Sequence, residues 1–198
     1  LMALTKLNNN GIAGVTALPS SIALGDMALV SSATASSSAS LTFTLADYKE
    51  YQFYFVDIHP SGNNVDLTMN FSIDSGSNYN VSKITTFAQA YHNEAGNDPS
   101  LEYQASHDMV GTGFAIIAKG MGNDNDQTIA GSMKLFNPSS DTFVKHFIIN
   151  NSNYSHNDYH NNFLIAGYAN TTSAVDRIQF KMSSGNIDAG TILMYGIN

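Results

Sequence analysis

The stretch that most narrows the folds open to this chain is its last, from Val175 to Ile197. Ile178, Phe180 and Met182 alternate there with Arg177, Gln179 and Lys181, the two-residue period of a strand with one buried face. A polar bend follows at Ser183-Ser184-Gly185-Asn186, and the segment Gly190-Thr191-Ile192-Leu193-Met194-Tyr195-Gly196-Ile197 then reads apolar on both faces. Such a strand is expected at a central position. An exposed flat apolar edge would template aggregation, so the strand has to be locked inside a sandwich or an oligomer.

The upstream chain supplies sheets to cover it. Leu41, Phe43 and Leu45 alternate with Thr42 and Thr44, and Leu67, Met69, Phe71 and Ile73 alternate with Thr68, Asn70, Ser72 and Asp74. Both read as half-buried strands. Between them residues 51–58 (YQFYFVDI) are apolar on both faces, which predicts a second central strand with a layer or a subunit over its back. Further strands are expected near 81–92, 113–119, 127–136, 142–150 and 162–171. In the third of these Ile129, Gly131, Met133 and Leu135 share a face opposite Thr128, Ser132 and Lys134. Turn residues separate the strands, as at Pro60 to Asn64, Asp74 to Ser77, Gly120 to Asp126 and Asn137 to Ser140. About ten closely spaced strands with no helical pattern predict an all-β, antiparallel β-sandwich, with a jelly roll as the expected topology.

The first 40 residues differ from the rest. Residues 1–26 are small and apolar, punctuated by Gly11, Gly14, Pro19 and Gly25, with only Lys6 and Asp26 charged. They read either as an arm that packs on a partner or neighbouring subunit through Leu4, Leu7, Ile12, Val15 and Leu18, or as a β-arm on their own domain. Residues 31–40 (SSATASSSAS) are a flexible linker or a small-residue strand. The expected division is an N-terminal arm and linker over 1–40 and a sandwich over 41–198.

Composition removes several function classes. Only 12% of the residues are charged, about half the usual share, so the polar surface rests on Ser, Thr, Asn and Gly. A net charge of -8 with Arg177 as the sole arginine leaves no basic stripe for phosphates, which argues against nucleic acid. Without cysteine there is neither a disulfide framework nor a thiolate metal site. No run of 18 apolar residues predicts a transmembrane helix, and Asn8-Asn9-Asn10 interrupts any signal-like segment after Lys6.

Candidate chemistry is sparse. No nucleophile elbow, phosphate loop or paired-carboxylate pattern stands out, so no enzyme and no cofactor are expected. A surface metal could use His156, Asp158 and His160, and Asp124 and Asp126 resemble half of an oxygen-ligand calcium loop without its later glycine and glutamate. The tyrosines Tyr79, Tyr91, Tyr103, Tyr154, Tyr159 and Tyr168 lie in or beside loops rich in Asn, Asp and His. Rings for sugar faces and amides for hydroxyls are what saccharide recognition needs, although tyrosines also cap strand ends in any sandwich. The candidate ligand-binding set is Tyr103, His107, Tyr154, His156, Tyr159 and His160, in the loops 93–112 and 150–161.

The opening Met2-Ala3-Leu4-Thr5-Lys6-Leu7-Asn8-Asn9 and the closing Gly190 to Ile197 segment resemble the ends of virion proteins of tailed bacteriophages, marine and cyanobacterial ones in particular. The closing strand is similar to one that recurs in their fibre-like and decoration-like proteins. The resemblance covers about 16 residues at the termini. It implies a non-enzymatic structural protein of the capsid or tail with a jelly-roll head, trimeric, located on the virion beside other virion proteins. In a fibre the loops would contact a host-surface glycan; a capsid decoration protein or a carbohydrate-binding module are the alternatives. Two strands without a polar face and an arm in need of cover independently predict a homo-oligomer, of three subunits by expectation.

Overall fold

The computed structural model describes residues 27–198. Leu4, Leu7, Ile12, Val15 and Leu18, the expected anchoring residues, lie outside the described residues. In chain order the strands are β1 (Met27–Thr34), β2 (Leu41–Thr44), β3 (Glu50–Pro60), β4 (Val65–Ser72), β5 (Lys83–Asn93), β6 (Ser100–Tyr103), β7 (Val110–Gly111), β8 (Ala115–Met121), β9 (Ile129–Phe136), β10 (Lys145–Tyr154), β11 (Tyr159–Ala169), β12 (Arg177–Met182) and β13 (Ile187–Ile197). The helical content among the described residues is one 3₁₀ turn, Ala105–His107.

All pairings are antiparallel. The larger sheet runs β1-β13-β3-β9-β10-β11-β5-β6, with β7 also on β5, and the smaller runs β2-β12-β4-β8. The two sheets pack into the expected β-sandwich. Its division, nine strands against four, differs from the even division of an eight-strand jelly roll.

The strand alternations seen in the sequence become the two faces of the core. Phe43, Phe53, Phe55 and Phe180 meet edge to face, with Phe180 5.4 to 6.1 Å from the other three ring centres. Each such pair adds about 0.5–1.5 kcal/mol to the burial of its area. Ile178, Met69, Leu67, Ile192 and Met194 fill the space around them.

Residues 27–34, within the expected arm and linker, belong to the large sheet: β1 pairs along β13 from Met27 opposite Ile197 to Thr34 opposite Thr191. The Ser/Ala stretch is therefore strand and close connection rather than linker: Ala35 is buried, and Ser38 bridges to Ile187. With β1 on one side and β3 on the other, the terminal strand is interior to its sheet and its backbone edge is not left open. The backs of β3 and β13, where a second layer or a subunit is expected, have no layer over them among the described residues. Their inward residues Tyr51, Phe53, Phe55, Ile192 and Met194 are buried, but Val56 is 42% exposed and Tyr54, Leu193 and Tyr195 are half-buried.

The uneven strand count positions the functional surface. β8, the last strand of the small sheet, lies over β10 and β11, and the inner face of β5 and β6 continues beyond it. The segment after β6 folds back along the free edge of β5: Thr85 N–H donates to Met109 O (2.9 Å), and Phe87 N–H donates to an Asp108 carboxylate oxygen (2.9 Å).

Candidate functional site

Where the small sheet ends, the inner face of the large one turns from apolar to polar in three neighbouring strands at the same height. In β10, Phe147 and Ile149 give way to Asn151 and Asn153; in β11, Ile165 and Phe163 give way to Asn161 and Tyr159; in β5, Phe87 gives way to Gln89 and Tyr91. The register sets Asn153, Asn161 and Tyr91 in one row and Asn151, Phe163, Gln89 and Glu102 in the next. A burial-driven strand would not place amides there without partners for them.

Some partners are on the opposing sheet. Asn151 Nδ2 donates to Ile117 O (2.8 Å) and Asn153 Nδ2 to Lys119 O (3.1 Å), tying β10 to β8 across the sandwich. Gln89 Nε2 donates to Asn161 Oδ1 (2.6 Å). The carbonyl oxygens of Gln89, Asn151 and Asn153 are buried without a hydrogen-bond partner. Gln89 also lines a cleft of about 460 Å³ that opens beyond β8.

The walls of this cleft come from both sheets and two loops. Tyr91 and Tyr159 stand side by side, ring centres 5.7 Å apart and inclined at 60°. Each is fixed by a carboxylate: Tyr91 O–H donates to Glu102 (2.9 Å) and Tyr159 O–H to Asp98 (2.7 Å). Those hydrogen bonds to anionic acceptors raise the pKa of both phenols. Glu102 also accepts from Ser100 (3.0 Å) and from Gln104 Nε2 (2.6 Å), so both of its oxygens are engaged in holding neighbours.

The opposite wall is built around Gly120. Its φ of 63° is a left-handed conformation that glycine adopts without penalty. In that conformation its N–H donates to Asp66 Oδ1 (2.9 Å), while its carbonyl lies 3.1 Å from His156 Nδ1 and accepts from the His156 backbone N–H (3.0 Å). Lys119 stands beside it. Loss of hydration holds its ammonium below the ordinary lysine value, against the opposing pull of Glu102 and Asp66. His107, packed 5.5 Å from the Phe87 ring, is also pushed down, first by burial and then by Lys119. The cleft thus offers two fixed aromatic faces, a cation and several carboxylates above a buried, unpartnered amide oxygen.

Of the six residues expected to bind ligand, His107, His156 and Tyr159 line the cleft. The other three do not. Tyr103 is 60% exposed on the edge strand, bonded to Asp108. Tyr154 turns outward and bonds Asp158 (3.2 Å), with lost solvation and then Glu94 pushing its phenol up to about 12. His160 stands on the outer face against His92, ring centres 5.8 Å apart. The strand period explains the split, since Tyr159 and His160 point to opposite faces of β11. His156, in the turn between β10 and β11, is instead tied to Gly120 while His160 stacks on His92, so the trio with Asp158 does not converge. Asp124 and Asp126 lie in the turn between β8 and β9, where Asp124 O accepts from Gln127 N–H (2.9 Å). Among the described residues no group of three His, Asp or Glu side chains is placed to hold a metal ion.

Gln89, Asp66, Asp98, Gln104, Lys119 and Asn161 were not singled out from the sequence. The signal for the strand residues was present, as amides at positions whose parity is that of the core. Neither a known family model nor a curated protein sequence matches this chain.

Proposed function

We propose that the protein is a non-enzymatic carbohydrate-binding β-sandwich whose cleft takes a sugar residue of a surface glycan. The observation that carries this reading is the pair Tyr91 and Tyr159, pinned by Glu102 and Asp98 beside the unpartnered oxygen of Gln89. Fixed rings present flat apolar faces to the C–H side of a pyranose at little entropic cost, and Gln89 Oε1 accepts from a hydroxyl. Engagement of Glu102 by three neutral donors favours a positioning role for this carboxylate over acid or base chemistry.

The setting proposed for this activity is a tailed-phage virion, where a fibre-type attachment domain would contact a host-surface glycan and repeated weak sites would sum through avidity. What supports that setting is the likeness of the two terminal segments to phage virion proteins. A capsid-cementing role is the second reading, favoured by the open apolar backs of β3 and β13. A glycan array probed with the wild-type protein and with Tyr159→Ala tests the proposal. Retention on particular glycans, weakened roughly tenfold by the variant, is expected. Absence of retention, or retention indifferent to Tyr159, overturns it.

A further inference from the structure

The outer face of the large sheet departs from what an antiparallel sheet normally shows to water. Such a sheet commonly buries one face and carries a polar, charged face on the other. Here the outward positions of β3, β9, β10, β11 and β5, up to the irregularity at Asp57, hold two charged side chains, Glu50 and Lys134. They lie on adjacent strands and pair with each other at 3.6 Å.

Apolar side chains occupy much of the remainder. Val56, Ile148 and Leu164 are 42%, 53% and 50% exposed, with Leu29 on β1 at 55%. Tyr54 and Tyr195 meet edge to face among them (5.7 Å). At one end the face sinks into a hollow of about 460 Å³ between Phe136, His146, Tyr168 and Ile84, floored by Ile148 and Ala166. Leu164 stands proud beside it.

We infer that this face is an interface between copies of the chain, its centre formed by Ile148, Leu164 and the adjoining hollow. Two features favour a second copy over an unrelated partner. The chain carries a net charge of -8, yet around Ile148 and Leu164 the charged side chains are Glu50 and Lys134, which pair, while Asp57 and Asp188 stand at the far end beside Val56. Copies approaching through that centre meet without like-charge repulsion. The face also carries both a projecting side chain and a hollow to receive one, the requirement for contact between identical surfaces. Depletion of charge with retention of Tyr, Phe and Leu is the composition of an interface centre. The inference is independent of the carbohydrate reading, because the cleft opens on the opposite face.

Light scattering on the full chain across about 1 to 100 micromolar, with Ile148→Asp and Leu164→Asp beside it, tests this. Both positions are half exposed, so the variants keep the fold, which near-ultraviolet circular dichroism checks. Ile73→Asp, an exposed apolar residue following β4 of the other sheet, is the control. The expected result is a multiple of 21.3 kDa for wild type and Ile73→Asp, with dissociation constants raised about 100-fold by either outer-face variant. A wild-type mass of one chain throughout overturns the inference. So does an oligomer that survives both outer-face variants, or one that Ile73→Asp dissociates equally.

Discussion

The inner face of the large sheet has two halves, and they are built on opposite rules. Over β3, β13 and β9, where the small sheet covers it, every inward position from Tyr51 to Ile58 is filled by an apolar or aromatic side chain that is buried. Over β11, β5 and β6, past the end of β8, inward positions carry Asn161, Gln89, Tyr91 and Glu102. The covered half stabilises by removing apolar area from water, so its residues are interchangeable within limits of volume. The open half fixes polar groups in space, and there orientation matters more than burial. The contrast teaches that the strand period sets which residues face inward, while the reach of the opposing sheet decides what that face is for.

The comparison is broken most strongly in the covered half. Phe180 touches three other rings, so Phe180→Ala should cost about 3–5 kcal/mol in urea denaturation and leave residual ligand binding unchanged below the transition. A loss under about 1 kcal/mol would mean that the aromatic cluster is not the centre of stability.

The seam between the halves is next. A methyl group on Gly131 would stand 2.3 Å from Asn151 Oδ1 and 2.4 Å from Asn150 O, both on the neighbouring strand. Gly131→Ala is therefore expected to cost about 3 kcal/mol and to disturb the β9–β10 ladder, which hydrogen exchange at Ser132 and Asn151 would report.

The far end of β5 sharpens the contrast, because a cation is buried there instead of being presented. Lys83 is fully buried, donates to Gly113 O, and has its pKa lowered by desolvation to about 8. Between that value and 10.5 the unfolded chain binds a proton that the folded chain has released, so stability rises with pH. A gain of about 2 kcal/mol from pH 7.5 to 9.5 is expected, and Lys83→Met should flatten it. At higher pH the sign reverses. Burial raises the pKa of Tyr51, whose folded-state proton is retained when the unfolded phenol loses its own.

The smallest effect on stability is expected inside the cleft. Gln89→Leu removes an unpartnered buried oxygen along with one donor to Asn161, and the two changes roughly offset to within about 1 kcal/mol. Its thermal melt should stay near wild type while glycan retention falls, the reverse of the Phe180→Ala pattern.

Much of this division was legible in the sequence, though not all of it. Alternation at Leu41–Leu45, Leu67–Phe71 and Ile178–Met182 marks strands whose apolar residues are the core, because burial and the period of two act together there, whereas Ile73, next in the second alternation, falls beyond β4 and is exposed. β1 is legible only as one of two alternatives, since residues 31–40 read equally as a flexible linker and as a small-residue strand. Its Ser and Ala side chains carry little burial signal, and backbone pairing to β13 holds it. The cleft was half legible: Tyr159, His156 and His107 were chosen as loop residues rich in polar neighbours. Tyr103, Tyr154 and His160 met the same criterion and fell outside, since composition is blind to which face a residue takes. Lys119 and Asp66 come from the opposing sheet, and their convergence on Gly120 depends on sheet packing, which no local pattern encodes.

The most direct test is a nitrogen–proton NMR titration of the wild-type protein with neutral hexose and N-acetylhexosamine oligosaccharides, observing the side-chain amide groups. The expected result is saturable shifts of the Gln89, Gln104, Asn157 and Asn161 amides and of the Gly120 backbone, all of which line the cleft. Asn150 and Asn162, bonded to each other on the outer face (2.7 Å), should stay in place. Shifts confined to Asn150 and Asn162, or none at any oligosaccharide concentration, would contradict a saccharide site on the open half of the inner face.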